Sequence, residues 1–451
     1  MGKVSYKNPK EADKKVQQIY DTLNGIVEEM AKDPSAFVVN PGKDFTRKRI
    51  LSFKRMLEII LGMGGQSINK ELVDYFIEEN DSATKSAFVQ QRDKILPEAL
   101  RHLLHRFNEM SSDDKTYEGY YLYACDGTDV PVPKNPANKE THIISNKNSD
   151  GFNQYHVNAL YDLMNKTFAD AIVQGARAVD EPRAAITMIN GLQVKEKAII
   201  IGDRGYAALN LMEHCRRKNG VEFLIRVKES WISEVKALPM EECDVDIPLE
   251  IRTTQTKADK VAYKNGTAKY ASGKSKFGKY KSSQTWDFES PHKMTIRVVR
   301  FQIAEDKYET IATSLDRGSF PAAKIKELYN LRWGIETSFR DLKYSDGVVN
   351  FHSRKDAAIK QEIFASLVMY NFHSRITTCA DIVCATSRKY EYQANFSVAI
   401  HIGRKYYRKH GHGLQTILRE IVKYVEPVRK GRAGKRKPKQ QSAVNFIYRV
   451  S

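Results

Sequence analysis

The chain has 451 residues, 41% of them hydrophobic and 10% aromatic, enough to bury a large core and to divide into roughly two to four domains. Lysine and arginine outnumber aspartate and glutamate by 73 to 55, a formal charge of +18, which favours a polyanionic partner, nucleic acid first and acidic lipid second. No stretch approaches the roughly 18 apolar residues of a membrane span, and the opening MGKVSYKNPKEADKK lacks the apolar core of a signal peptide, so the sequence predicts a protein of the cytosol or nucleoid.

Residues 1–115 predict a helical domain, with apolar positions at three- and four-residue spacing in TRKRILSFKRMLEIILGM and LPEALRHLLHRFNEM. Within it, SINKELVDYFIEEN and DSATKSAFVQQRDKI suggest two short helices joined by a turn, the second capped by Ser82 or Thr84. Lys85, Gln90, Gln91 and Arg92 are expected on its exposed face, and Lys85, Gln90 and Arg92 are candidate DNA contacts if the pair is a helix-turn-helix. Helix pairs of this size also serve as plain packing units.

Between Tyr120 and Gln174 the pattern turns to strands: YYLYACDG, QYHVNALYDLM, a turn at Asn165-Lys166, and TFADAIVQG. A helix over EPRAAITMINGL, the apolar run KAIIIG, a helix ALNLMEHCRRKNG closed by Gly220, and the apolar run VEFLIRVK follow. Three meander strands followed by alternating helix and strand describe an α/β, ribonuclease-H-like core with a mixed sheet, here over 116–228. Residues 229–320 shift to Thr, Ser, Lys, Tyr and Gly with alternating segments such as MTIRVVRFQI, and predict a β-rich insertion. Helical periodicity returns at PAAKIKELYNLRWGIETSFRDLKYSDG, so 321–400 is read as the second part of the core and 401–451 as a basic segment ending in the tail VRKGRAGKRKPKQQ. Cys125, Cys215, Cys243, Cys379 and Cys384 are scattered without a CxxC pair, which predicts reduced, unligated thiols.

Three acidic residues carry the candidate chemistry. Asp126 and Asp203 each follow an apolar strand and are expected where the strand gives way to a turn, the sheet edge at which open α/β sheets bind ligands; Asp is also an ordinary turn residue. Over a single predicted helix from Ala322 to Tyr344, Tyr329, Arg332, Glu336 and Lys343 share one face at roughly 100° per residue, with Arg340 near the same stripe. The bland reading is a solvated face with an Arg332–Glu336 ion pair. Leu331, Ile335 and Leu342 supply an apolar flank that would set the stripe beside the core instead.

Gathering Asp126, Asp203 and Glu336 without cations would cost several kcal/mol, whereas two Mg²⁺ or Mn²⁺ ions about 4 Å apart would stabilise the cluster and support in-line phosphodiester displacement. Arg332, Lys343 and Tyr329 then suit phosphate oxygens.

The residues CDGTDV, IGDRGY and the spacing Tyr329-x2-Arg332-x3-Glu336-x6-Lys343 resemble the DDE transposases of the insertion-sequence-four family, over about residues 116–375. The resemblance implies a ribonuclease-H-like catalytic domain, two Mg²⁺ or Mn²⁺ ions on Asp126, Asp203 and Glu336, cleavage of double-stranded DNA at terminal inverted repeats, and joining of the freed 3′-hydroxyl to target DNA within a homodimeric synaptic complex. In relatives excision can pass through a hairpin with a flipped base stacked on an insertion-domain aromatic, for which Tyr308 and Trp286 are candidates here; Trp333 is expected to pack in the helix interface, and Arg204 either contacts DNA or pairs locally. No Walker loop is present, so no nucleotide cofactor is expected. His410 with His412 reads as a surface pair, and neither His156 nor His352 has a partner at recognisable spacing. The other readings are a structure-specific nuclease using the same carboxylates, and a domesticated DNA-binding protein without catalysis.

Overall fold

The computed structural model describes residues 5–77, 79–110, 114–144, 150–194, 196–253, 256–270, 285–344, 351–383 and 390–428. The basic tail beyond 428 and Cys384 lie outside the described residues. Helices α1 (Pro9–Lys32), α2 (Phe53–Gly62), α3 (Ile68–Phe76), α4 (Lys85–Arg92) and α5 (Glu98–Glu109) form the N-terminal layer. The cap of α4 is Thr84, whose side chain accepts from the Ala87 N–H at 3.2 Å.

The sheet is built from β1 (Tyr120–Val132), β2 (Phe152–Asp162), β3 (Thr167–Gly175), β4 (Lys197–Gly202), β5 (Val221–Val227), β6 (Cys243–Arg252), β7 (His292–Ala304) and β8 (Lys307–Thr313). The order β3-β2-β1-β4-β5 has the first three strands antiparallel and β1, β4 and β5 parallel, the mixed ribonuclease-H-like arrangement expected. The β2–β3 turn is tight because Lys166 takes a left-handed conformation (φ 54°) while the Asp162 carboxylate accepts from the Met164 and Asn165 N–H groups. The β-rich segment continues this sheet: β8 pairs antiparallel with β5, β7 with β8, and β6 with β7.

Period-two alternation divides β1 between the two faces of the sheet. Tyr121, Tyr123 and Cys125 join a core with α6 (Glu181–Gly191) and α7 (Leu209–Arg217). Leu122 and Ala124 face the opposite side, where α8 (Ala322–Leu331), α9 (Trp333–Tyr344) and α10 (Asp356–Thr378) pack. α10 is apolar on nearly every side because α1, α2 and α5, the sheet and α11 (Phe396–Arg408) surround it. Residues 401–408 therefore belong to a folded helix, with Tyr407 set edge-on against Tyr20. Among the described residues no helix is long and apolar enough to cross a membrane.

Arg92 is not the exposed DNA contact that its amphipathic context suggested, and Gln91 is buried beside it. Arg92 is 2% exposed, and its guanidinium donates to Gln361 Oε1 (2.8 Å), Glu362 Oε1 (2.9 Å) and the Ala358 carbonyl (2.6 Å), bolting α4 to the start of α10. Lys85 and Gln90 stay exposed. Burial alone would raise the Glu362 carboxyl, but Arg92 and His352 hold it down at about 2. A carboxyl depressed in the folded state contributes stability above its unfolded pKa and loses it as pH falls, here between about 4.5 and 2. Arg92→Ala strips a buried charge of its partner and should cost about 3–5 kcal/mol in urea unfolding at pH 7. Lys85→Ala should leave the midpoint unchanged, and the Arg92→Ala penalty should shrink toward pH 2.

Candidate active site

Parallel pairing sets the first two acids side by side. Cys125 opposite Gly202 is the last register pair of β1 and β4, Asp126 is the next residue of β1, and Asp203 is the first residue after β4. Asp203 sits at the predicted turn, where its Oδ1 accepts from the Gly205 N–H at 2.7 Å. Asp126 does not: β1 continues to Val132 because β2 pairs with it on the other side, Asp126 opposite Ala159. Alternation turns Asp126 to the face of Leu122 and Ala124, on which α8 and α9 lie.

The predicted single helix Ala322–Tyr344 is two helices broken at Arg332. Gly334 lets the start of α9 press on the β2–β3 turn, where an added methyl would lie 2.9 Å from Leu163. From the break, the buried guanidinium of Arg332 reaches Glu336 Oε1 at 2.6 Å and Asp126 Oδ2 at 3.5 Å. Arg332 thus joins two of the three acids. Burial, with added repulsion from Asp203 and Glu336, pushes the Asp126 carboxyl up to about 6, against the pull of the Gly127 N–H and Arg332.

Among the described residues, no three Asp, Glu, His or Cys side chains converge as a metal-holding group. The donors nevertheless suit a hard divalent cation: carboxylate oxygens whose charges still oppose one another with a guanidinium between them. Arg332 Nε is buried beside them without a hydrogen bond, and the Tyr329 hydroxyl is buried next to Arg332 and Arg226.

The remaining predicted residues spread around this edge. Lys343 is partly buried, which lowers its ammonium pKa, and Asp129 opposes that shift from nearby. Arg204 and Arg340 are exposed. Tyr329 is buried, so it faces the site from within the core and not from a solvated stripe, and Leu331 of the expected apolar flank is exposed while Ile335 and Leu342 are buried.

Tyr308 is half-exposed on β8, opposite Gln302. Trp286 is not a platform for a base: it is 2% exposed, donates to the Glu289 carbonyl at 2.9 Å and packs against Phe288 and His292. The tryptophan that does reach solvent is Trp333, 54% exposed, with the Arg332 guanidinium 5.4 Å from its ring, in place of the packed position expected for it.

Two residues with no visible motif stand at the same edge. His156, which has no ligand-like partner at recognisable sequence spacing, lies directly across the β1–β2 ladder from Asp129 and bonds both Asp129 Oδ1 (2.8 Å) and Glu181 Oε1 (3.1 Å), so that Glu181 is the second. Cross-strand register was the signal, and it is invisible until the strands are aligned.

The fold and this acidic edge place the protein in the ribonuclease-H-like class. More narrowly, the family model described as the transposase DDE domain matches residues 117–372, more than half of the chain, and the chain belongs to that family. A comparison with curated proteins gives no match. Among solved structures the chain is similar to a piggyBac transposase in its synaptic complex with hairpin DNA, at 11% identity, with 93% of this chain and 87% of that one covered and a TM-score of 0.44, too loose a likeness to carry an argument.

A carboxyl raised in the folded state favours folding when protonated and opposes it once ionised. In metal-free buffer Asp126 is thus neutral in both states below about pH 3.8, and above about pH 6 its ionisation costs on the order of 3 kcal/mol of stability. Asp126→Asn should therefore raise the melting temperature at pH 7.5, with the gain vanishing near pH 4.

Proposed function

We propose that the chain is a DNA transposase of the insertion-sequence-four type. It cuts double-stranded DNA at terminal inverted repeats and joins the 3′-hydroxyl ends to target DNA. The observation that supports this reading is the neighbouring register of Asp126 and Asp203 on β1 and after β4, with Glu336 tied to Asp126 through Arg332, in a chain of the transposase DDE domain family.

Asp126, Asp203 and Glu336 are the residues to hold Mg²⁺ or Mn²⁺. When bound, two such ions activate water or a 3′-hydroxyl and stabilise the leaving oxygen of an in-line phosphodiester displacement. The side chains do the rest. Arg332, buried and pinned on Glu336, presents a rigid fork to a phosphate once a cation takes over the carboxylate charge. Lys343, with its ammonium depressed by burial, adds a short-range positive charge, and exposed Arg340 and Arg204 extend the basic surface along the backbone. The Tyr329 hydroxyl, buried beside Arg332 and Arg226, is a further polar group at the site. Trp333, exposed beside Arg332, replaces Trp286 as the aromatic available to a displaced base, with half-exposed Tyr308 as the second. Two element ends must be held together for joining, which calls for a dimer in the synaptic complex.

Asp126→Ala, Asp203→Ala and Glu336→Ala should each abolish Mg²⁺-dependent cleavage of the native element ends while end binding in a gel-shift assay persists. Near-normal cleavage by any one of them would reject the assignment. Lys343→Ala should lose part of the rate and reduce the salt dependence of binding by a slope of roughly one, as expected for one phosphate contact.

A further inference from the structure

Glu181 is the first residue of α6, fixed there by the Asp180 cap, whose Oδ1 accepts from the Arg183 N–H at 3.1 Å. Its two oxygens face different partners. Oε1 bonds His156 Nε2 at 3.1 Å, and that bond passes over Gly127, where any side chain would collide with both groups. Oε2 lies over Gly205, 2.6 Å from where a methyl would sit, while Asp203 Oδ1 lies 3.1 Å from the same point. Gly205 is also the residue whose N–H holds Asp203. One glutamate therefore touches the segment following Asp126 and the turn following Asp203.

His156 fixes the glutamate. Its ring is clamped between Asp129 on β1 and Glu181 on α6, and it is buried at 9% exposure. Although burial alone would lower it, the two carboxylates push its pKa up to about 9, so the ring is an imidazolium at neutral pH and donates to both. Asp129 in turn feels the Lys343 ammonium on α9, the helix that bears Glu336. The Lys343 charge on α9 thus acts on Asp129 of β1, which hydrogen bonds link through His156 of β2 to Glu181 of α6 beside the Asp203 turn.

We propose that His156 and Glu181 are positioning residues for the carboxylate centre: the His156-locked side chain of Glu181 braces the Gly127 and Gly205 backbone and so holds Asp126 and Asp203 at the mutual spacing that a divalent cation requires. This rests on the reading of Asp126, Asp203 and Glu336 as cation-holding residues. Neither His156 nor Glu181 need touch DNA or metal in this role, which matches the outer partners that orient metal-binding side chains.

The test uses the full-length chain with Glu181→Gln and His156→Gln, which keep size and polarity, and Asp126→Ala as the control. Two quantities are read: the Mg²⁺ dependence of end cleavage, and the Mn²⁺ concentration needed to raise the melting temperature of the protein without DNA. Both positioning variants should melt within a few degrees of the native chain and bind ends normally. They should need roughly 10- to 100-fold more cation in both readouts, with cleavage recovering as cation is raised.

If Glu181→Gln, folded, keeps the native cation dependence in both readouts, or loses cleavage equally at every cation concentration with an unchanged melting response, the positioning role is overturned. His156→Gln failing to fold would leave Glu181→Gln to decide. Cleavage by Asp126→Ala would instead sink the carboxylate reading itself, which separates the two failures.

Discussion

Like charges at one sheet edge repel, and the arrangement around Asp126 is built to contain that repulsion. Asp126, Asp203, Glu336 and Glu181 lie around the edge where β1 outruns β4, and each is met by a compensating group: the Gly127 N–H and Arg332 for Asp126, the Gly205 N–H for Asp203, Arg332 for Glu336 and His156 for Glu181. Compensation is incomplete at Asp126, whose carboxyl remains pushed up to about 6. The largest cause of that shift is burial, and repulsion from Asp203 and Glu336 adds to it.

The scaffold that withstands this repulsion is one continuous sheet. Its parallel centre supplies the two aspartates at neighbouring register positions, and β5 passes directly into β8, β7 and β6, so the inserted segment stiffens the far side of the site. The salt bridge between Arg226 of β5 and Glu309 of β8, at 3.0 Å, sits beside Tyr329 and joins insertion and core next to the acids. On the opposite flank the Arg92 network ties α4 to α10, and Arg408 of α11 joins α2 and α3 by bonding the Gly62 carbonyl at 2.8 Å and Asp74 at 2.7 Å.

Much of this was legible in the residues, and the limits have physical causes. Strand order followed from local patterning, because three meander strands and two strand–helix alternations admit few topologies. Asp203 was legible because its strand really does end there, and Arg332 with Glu336 because four-residue spacing needs only one helical turn. Long-range compensation was not. Arg92 reads as the exposed corner of an amphipathic helix until α10 closes over it, and Trp286 and Trp333 exchange their expected environments because aromatic burial depends on how β6, β7 and α7 close, which no local pattern encodes. The helix break at Arg332 was equally hidden, because periodicity continues through it while Gly334 packs against the β2–β3 turn.

The length of β1 connects these observations. Had the strand ended at Asp126, as its apolar run suggests, Asp129 would fall in a loop and His156 would have no cross-strand partner. Because β1 continues to Val132, period-two alternation instead carries the chain past Gly127, leaves room there for the His156–Glu181 bond, and delivers Asp129 opposite His156. The absence of a side chain at Gly127 and Gly205 is thus as necessary as the presence of the acids beside them. Each glycine admits one oxygen of Glu181 against the backbone, and together they let a single side chain on a rigid helix start bridge the two aspartate-bearing segments.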